Sequence, residues 1–173
     1  MGAQGASAPG QPADALDGYG VAVVREDGKW RCAAMRSATL SSLSSAETEL
    51  REIRSAGAVF GLIDVDHEFF VIVRPGPAGT RLLLSDATAA LDYDLADEVL
   101  EEIDADIDAD YLEDAEPFEE GDLGVLSDVG LPAAVLGVIL DESGLAVEDQ
   151  VHRIAQEMGF DEQLTAVLPR RGR

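Results

Sequence analysis

An α+β fold is expected from this sequence: a five-stranded, mostly antiparallel sheet with one covering helix, followed by an acidic linker and a small C-terminal helical bundle. Three observations lead there. Short runs rich in Val, Ile, Leu and Phe, separated by turn residues, occupy residues 19–85. Apolar residues at helical spacing occupy the chain beyond Gly121. Between the two lies a stretch dense in carboxylates that reads as a connector.

Residues 1–18 are Ala, Gly, Pro and Gln with Asp14 and Asp17, and their lack of bulk and periodicity predicts a disordered tail. Order is expected to begin at Tyr19. The run Tyr19–Arg25 is Val-rich, Asp27-Gly28 supplies the pair that takes positive φ at a two-residue turn, and Lys29–Arg36 alternates Trp30, Cys32 and Ala34 against Lys29, Arg31 and Ala33. This predicts a hairpin. Ser44-Ser45-Ala46-Glu47 has capping-box spacing, so a helix is expected from there to Ala56. Its buried stripe would be Leu43, Ala46, Leu50 and Ile53, and Gly57 would be its left-handed cap. Three more strands are read at Ala58–Val65, Phe69–Arg74 and Arg81–Ser85. A short helix from about Asp86 and another over Leu95–Ile103 would close a sheet domain spanning 19–100.

Residues 101–122 form the expected acidic linker. Residues 123–168 carry the bundle, with a turn at Leu123–Asp128, Gly130 as a stop and Pro132 at a first helical position. Helices are expected at Ala133–Glu142 and Glu148–Met158, Gly159-Phe160 would cap the second, and Asp161 would cap a last helix. Such a bundle is too small to stand alone, and docking on the sheet would remedy that. Residues 169–173 form a basic tail.

The charge is regional. From Leu82 to His152 there is no Lys or Arg, and that stretch holds 22 of the 35 carboxylates. Residues 1–81 sum to −2, residues 82–152 to −22 and residues 153–173 to +1. This sign repels phosphate backbones and anionic membranes, so direct nucleic-acid binding is not expected. No apolar run approaches the roughly 20 residues that span a bilayer. The N-terminus has neither the basic start nor the apolar core of a secretory signal, and cytoplasmic residence is expected.

Sites of chemistry are sparse. Asp104, Asp106, Asp108 and Asp110 invite comparison with a calcium loop. With Glu113 at the bidentate position, however, Ile107 stands where Gly must turn, and starting at Asp104 leaves Ala109 and Ala115 at the two key positions. His67 and Glu68 lie at a predicted hairpin tip and His152 on a predicted helix, none with a second His or Cys at ligand spacing. Cys32, the single cysteine, reads as a small buried group. No Gly-x-Ser-x-Gly elbow, phosphate loop or dinucleotide fingerprint is present, so neither catalysis nor a cofactor is expected. The alternative is a ligand-binding domain or enzyme with its site between sheet and helices.

The opening hairpin with Asp27-Gly28-Lys29-Trp30, the strand Phe69-Phe70-Val71-Ile72-Val73-Arg74, the junction Leu83-Leu84-Ser85-Asp86-Ala87 and the acidic stretch are accompanied by two later motifs. These are Asp128-Val129-Gly130-Leu131-Pro132 and Ile154-Ala155-Gln156-Glu157-Met158-Gly159-Phe160. Together, over roughly Tyr19 to Leu168, they resemble the actinobacterial tRNA adenosine deaminase-associated proteins. The resemblance implies association with a deaminase and supplies no site residues. It does not make this chain the deaminase: the zinc enzymes need His-x-Glu and Pro-Cys-x-x-Cys, whereas His67 directly precedes Glu68 and Cys32 has no partner cysteine. The expectation is a noncatalytic accessory protein whose partner is the deaminase or another basic protein. Its binding residues would be Glu101, Glu102, Asp104, Asp106, Asp108, Asp110, Glu113, Asp114, Glu116, Glu119, Glu120 and Asp122.

Overall fold

The computed structural model describes residues 16–142 and 144–168, so the expected tails lie, apart from residues 16–18, outside the described residues. Six strands form one antiparallel sheet: β1 (Gly18–Glu26), β2 (Lys29–Ala34), β3 (Ala58–Val65), β4 (Phe69–Gly76), β5 (Gly79–Leu84) and β6 (Glu120–Gly121), in spatial order β2-β1-β3-β4-β5-β6. Asp27 and Gly28 turn the first hairpin at φ 56° and 75°, as the sequence predicts.

The expectation of five strands is corrected to six, and the sixth comes from the acidic stretch. Glu120 and Gly121 pair with Leu84 and Leu83, and the Asp122 amide donates to the Leu82 carbonyl at 2.9 Å. A two-residue strand leaves no alternation to read. Its Gly121 sits at φ +117°, and a Cβ there would stand 2.3 Å from the Leu82 oxygen, so the close approach requires glycine.

Both faces of the sheet are covered, which corrects the single covering helix. On one face, α1 (Leu43–Arg51), α2 (Asp94–Glu102) and α3 (Ala109–Asp114) bury Leu50, Leu95, Val99 and Leu112 against Ile63, Phe69, Val71, Val73 and Leu84. On the other, α4 (Ala133–Asp141), α5 (Val147–Met158) and α6 (Asp161–Val167) bury Leu136, Ile139, Ile154 and Leu164 against Phe60, Leu62, Phe70, Ile72 and Leu83. The C-terminal helices thus close on the sheet. The physical reason lies in β4, where Phe69 to Val73 are fully buried without a polar alternate: a strand apolar on both sides needs a layer on each.

Local boundaries differ from expectation for identifiable reasons. The cap of α1 is Ser42, whose hydroxyl accepts from Ser45 N at 3.2 Å, while Glu98 on α2 accepts from Leu43 N at 2.8 Å. The helix stops at Arg51 because the following chain is recruited by β1: Ser55 Oγ donates to Glu26 Oε1 at 2.9 Å and accepts from Gly57 N at 3.0 Å. Gly57 is not a helix cap. A Cβ there would lie 1.8 Å from the Arg25 carbonyl oxygen. At the C-terminal end of α5 the expected glycine cap is found: Gly159 takes φ +103°, the amides of Gly159 and Phe160 both donate to Ala155 O, and the Phe160 ring is buried.

Arg74 ties the sheet to the chain ahead of α4. Its guanidinium makes a bidentate pair with Asp128, with Nη2 to Oδ2 at 2.9 Å, and donates to Val125 O at 3.0 Å. The hydrogen bond from Arg74 holds the Asp128 carboxyl below the usual carboxylate range. A depressed folded-state value contributes stability above the unfolded value, and that contribution disappears as acid protonates the folded carboxyl. Asp128→Asn is therefore expected to cost up to about 1 kcal/mol near neutrality, discounted because Asp128 is exposed, and progressively less from neutral to acid pH as the folded carboxyl takes up its proton. Urea titrations of both proteins across that pH range check it.

Candidate functional site

The twelve carboxylates expected to bind a partner are carried by the end of α2, the 103–108 stretch, α3 and the approach to β6. Glu101, Glu102, Asp104, Asp106, Asp108, Asp110, Glu113, Asp114 and Glu116 are exposed, and Glu119, Glu120 and Asp122 are half-buried. Along 103–108 the pattern alternates: Ile103, Ala105 and Ile107 pack onto the core under α1 and α2, while Asp104, Asp106 and Asp108 face solvent. Leu112 of α3 is buried and Phe118 packs on the same core, so the acidic stretch lies against the sheet's helical layer along its length. Apolar anchoring fixes which side each carboxylate presents.

Asp104 ends α2 in the left-handed region at φ +61°, with Ala105 N donating to Leu100 O at 2.9 Å. Glycine ordinarily takes this place, so Asp104→Gly is expected to raise stability by about 0.5–1 kcal/mol, measurable as a higher urea midpoint with unchanged slope. Asp122 is the one acid of the set that an arginine neutralises directly, through Arg81 Nε at 2.9 Å; Arg81 also donates to Gly124 O at 2.8 Å. Among the acids stands Tyr111, 60% exposed, its ring edge-on to Phe118 at 5.9 Å between centroids. Its spacing in the sequence does not separate it from a core residue. Among the described residues no group of three His, Cys, Asp or Glu side chains is placed to hold a metal.

Charge is graded across the sheet. α2 packs over β5 and the acidic stretch borders β5 and β6, whereas α6 lies on β2, the far edge, where Lys29 and Arg31 are exposed.

A second constellation, at the tip of the β3–β4 hairpin, was missed in the sequence. Asp64 is fully buried on β3. Its Oδ1 accepts from the His67 amide at 2.9 Å and its Oδ2 lies 2.8 Å from His67 Nδ1. His67 Nδ1 also lies 3.5 Å from Glu148 Oε2 in the first turn of α5. On the other side of the turn, Asp66 accepts from Asp17 N and from Tyr93 OH, both at 2.8 Å, and burial together with that bond pushes the Tyr93 phenol far above its usual range. Asp66 and His67 both hold positive φ, the geometry of a type I′ turn. The available signal was a carboxylate inside the apolar run Leu62-Ile63-Asp64-Val65, three residues before a histidine. The arrangement joins the hairpin to the helical layer of α5.

Cys32 is half-buried against Trp30's side of the sheet, and burial pushes its thiol up to about 11, which keeps it protonated and unreactive near neutrality. His152 contacts Thr165 Oγ1 at 3.3 Å. No helix among the described residues is long and apolar enough to cross a membrane.

A family model described as Rv3753c-like tRNA adenosine deaminase-associated protein matches residues 18–161. The chain is 69% identical, over all 173 of its residues and the whole of the relative, to Protein Rv3753c of Mycobacterium tuberculosis (strain ATCC 25618 / H37Rv). No solved structure matches it.

Proposed function

We propose that this chain, which belongs to the Rv3753c-like tRNA adenosine deaminase-associated protein family, is a noncatalytic accessory protein whose acidic face binds a basic surface of a tRNA adenosine deaminase. The observation that carries this reading is the alternation at 103–108: apolar residues hold the stretch down while carboxylates face outward, and of the twelve acids only Asp122 forms an ion pair among the described residues, with Arg81. A surface of one sign, held in place before contact, speeds encounter with a basic partner and discriminates against acidic ones. Tyr111 supplies an aromatic face on which a partner arginine stacks while its guanidinium meets the flanking acids. In a sharper form, the face imitates a phosphate backbone and competes with tRNA for the enzyme.

The alternative, a ligand site between sheet and helices, has little space: those interfaces are filled by buried side chains such as Phe69 and Val99 on one side and Phe60 and Ile154 on the other.

Co-purification of the full chain with the deaminase at low and moderate salt tests the reading, and failure to co-elute under both conditions ends it. Exchanging the nine exposed carboxylates for Asn and Gln is expected to weaken binding about a hundredfold at low salt and to flatten its salt dependence. Tyr111→Ala is expected to weaken it about three- to fivefold. Unchanged competition with tRNA after the neutralisation would remove the mimicry version alone.

A further inference from the structure

We propose that the outer edge of β2 is a self-association surface, at which two copies of this chain join β2 to β2, antiparallel, into one continuous sheet. β2 is the terminal strand of the sheet and pairs with β1 alone among the described residues. The two-residue turn makes Glu26 and Lys29 the closing hydrogen-bonded pair, so the peptide groups of Lys29, Arg31 and Ala33 face β1 and those of Trp30, Cys32 and Ala34 face outward. Met35 N, donating inward to Gly20 O at 2.8 Å, keeps the same phase. An edge of this length with free peptide groups is the feature that monomeric proteins blunt with charge, proline or a covering loop. Here only Lys29 and Arg31 are charged, and Ala33 and Ala34 lie exposed beside them.

Charge, side-chain size and shape select a second copy as the occupant. A chain of net charge −23 repels itself, so association is favoured away from the acidic face. The β1–β2 hairpin carries Arg25, Lys29 and Arg31 against Glu26 and Asp27, at the opposite edge from β6 and the acidic face. A two-fold axis at Cys32 then sets Arg31 across from Ala33 and Trp30 across from Ala34 of the second copy, bulky against small in both directions. An axis at Arg31 would instead bring two guanidinium groups together. The Cys32 register makes about six hydrogen bonds between strands. Beside the edge, on the α1 side, an open groove of about 290 Å³ lined by Ala22, Val24, Arg31, Cys32, Ala33 and Ile53 receives the aliphatic stem of Arg31 from the second copy.

Sedimentation equilibrium of the full chain at micromolar concentration tests this, with twice 18.3 kDa expected. Ala33→Glu places a carboxylate opposite Arg31 of the second copy and is expected to tighten the dimer about tenfold. Ala33→Arg is expected to loosen it about tenfold, since symmetry counts each change twice. Ala34→Pro removes an outward amide unused within one copy and is expected to give a folded monomer whose melting transition, unlike that of the dimer, does not depend on protein concentration. A chain that stays monomeric overturns the proposal, whether or not another strand later pairs with the edge. So does a dimer that ignores Ala34→Pro or responds alike to Glu and Arg at position 33, because its contact then lies elsewhere.

Discussion

Phe160→Ala is expected to destabilise the protein by about 3–5 kcal/mol and to move its whole unfolding transition rather than a part of it. The ring is fully buried where three segments meet: it lies 5.0 Å from Trp30 on β2, 6.0 Å from Phe60 on β3, and follows the glycine cap between α5 and α6. Removing it leaves a cavity that neither strand can close, because their register is fixed by pairing with β1. If the C-terminal helices depended only on one another, the substitution would split unfolding into two steps, with the sheet surviving the first. Parallel urea curves by tryptophan fluorescence, which reports Trp30, and by far-ultraviolet circular dichroism, which is weighted to the helices, decide between these. Curves that separate would show that the C-terminal layer is not part of the sheet's cooperative unit.

His67→Asn is expected to cost about 3 kcal/mol. Asparagine tolerates the positive φ at this position, so the substitution removes the ring and little else. It takes the imidazole away from Oδ2 of the fully buried Asp64, while the backbone amide of position 67 still donates to Oδ1. Losing one hydrogen-bond partner costs a fully buried acceptor more than it costs an exposed one, which water can serve instead. The double variant Asp64→Asn, His67→Asn is therefore expected to regain more than half of the loss, because a neutral amide tolerates the same environment. Denaturant titration of both variants gives the values. A loss below about 0.5 kcal/mol for His67→Asn would mean that Asp64 does not depend on the ring.

The sheet and the ends of the C-terminal helices were largely legible because their signals are local: the Asp27-Gly28 turn and the runs at 58–65 and 69–74 for the sheet, and the glycines at 130 and 159 for the helices, each act within a few residues. What escaped depends on chain segments far apart. The second helical layer is implied by Phe69-Phe70-Val71-Ile72-Val73, a run apolar on both faces, but such a run does not say which later segment supplies the layer. β6 exists because Gly121 permits the chain to pass close to Leu82, which lies far earlier in the sequence, and nothing in Glu120-Gly121 favours a strand. The end of α1 is set by Ser55 and Gly57 meeting β1, which no helix propensity encodes. The acid-binding candidates were legible as a group through charge alone, whereas their outward direction came from Ile103, Ala105 and Ile107, residues set aside as connector. Asp64 and His67 were legible as residue types only; their meeting needs both the type I′ turn and the arrival of α5.

The alternation at 103–108 makes this stretch sensitive to reading phase. Deleting a single residue there would exchange the two sets, drive aspartates toward the hydrophobic interior and expose the isoleucines, so that structure and surface recognition would fail together. Removing two neighbouring residues would preserve parity, shortening the segment while keeping each remaining side chain on its own side.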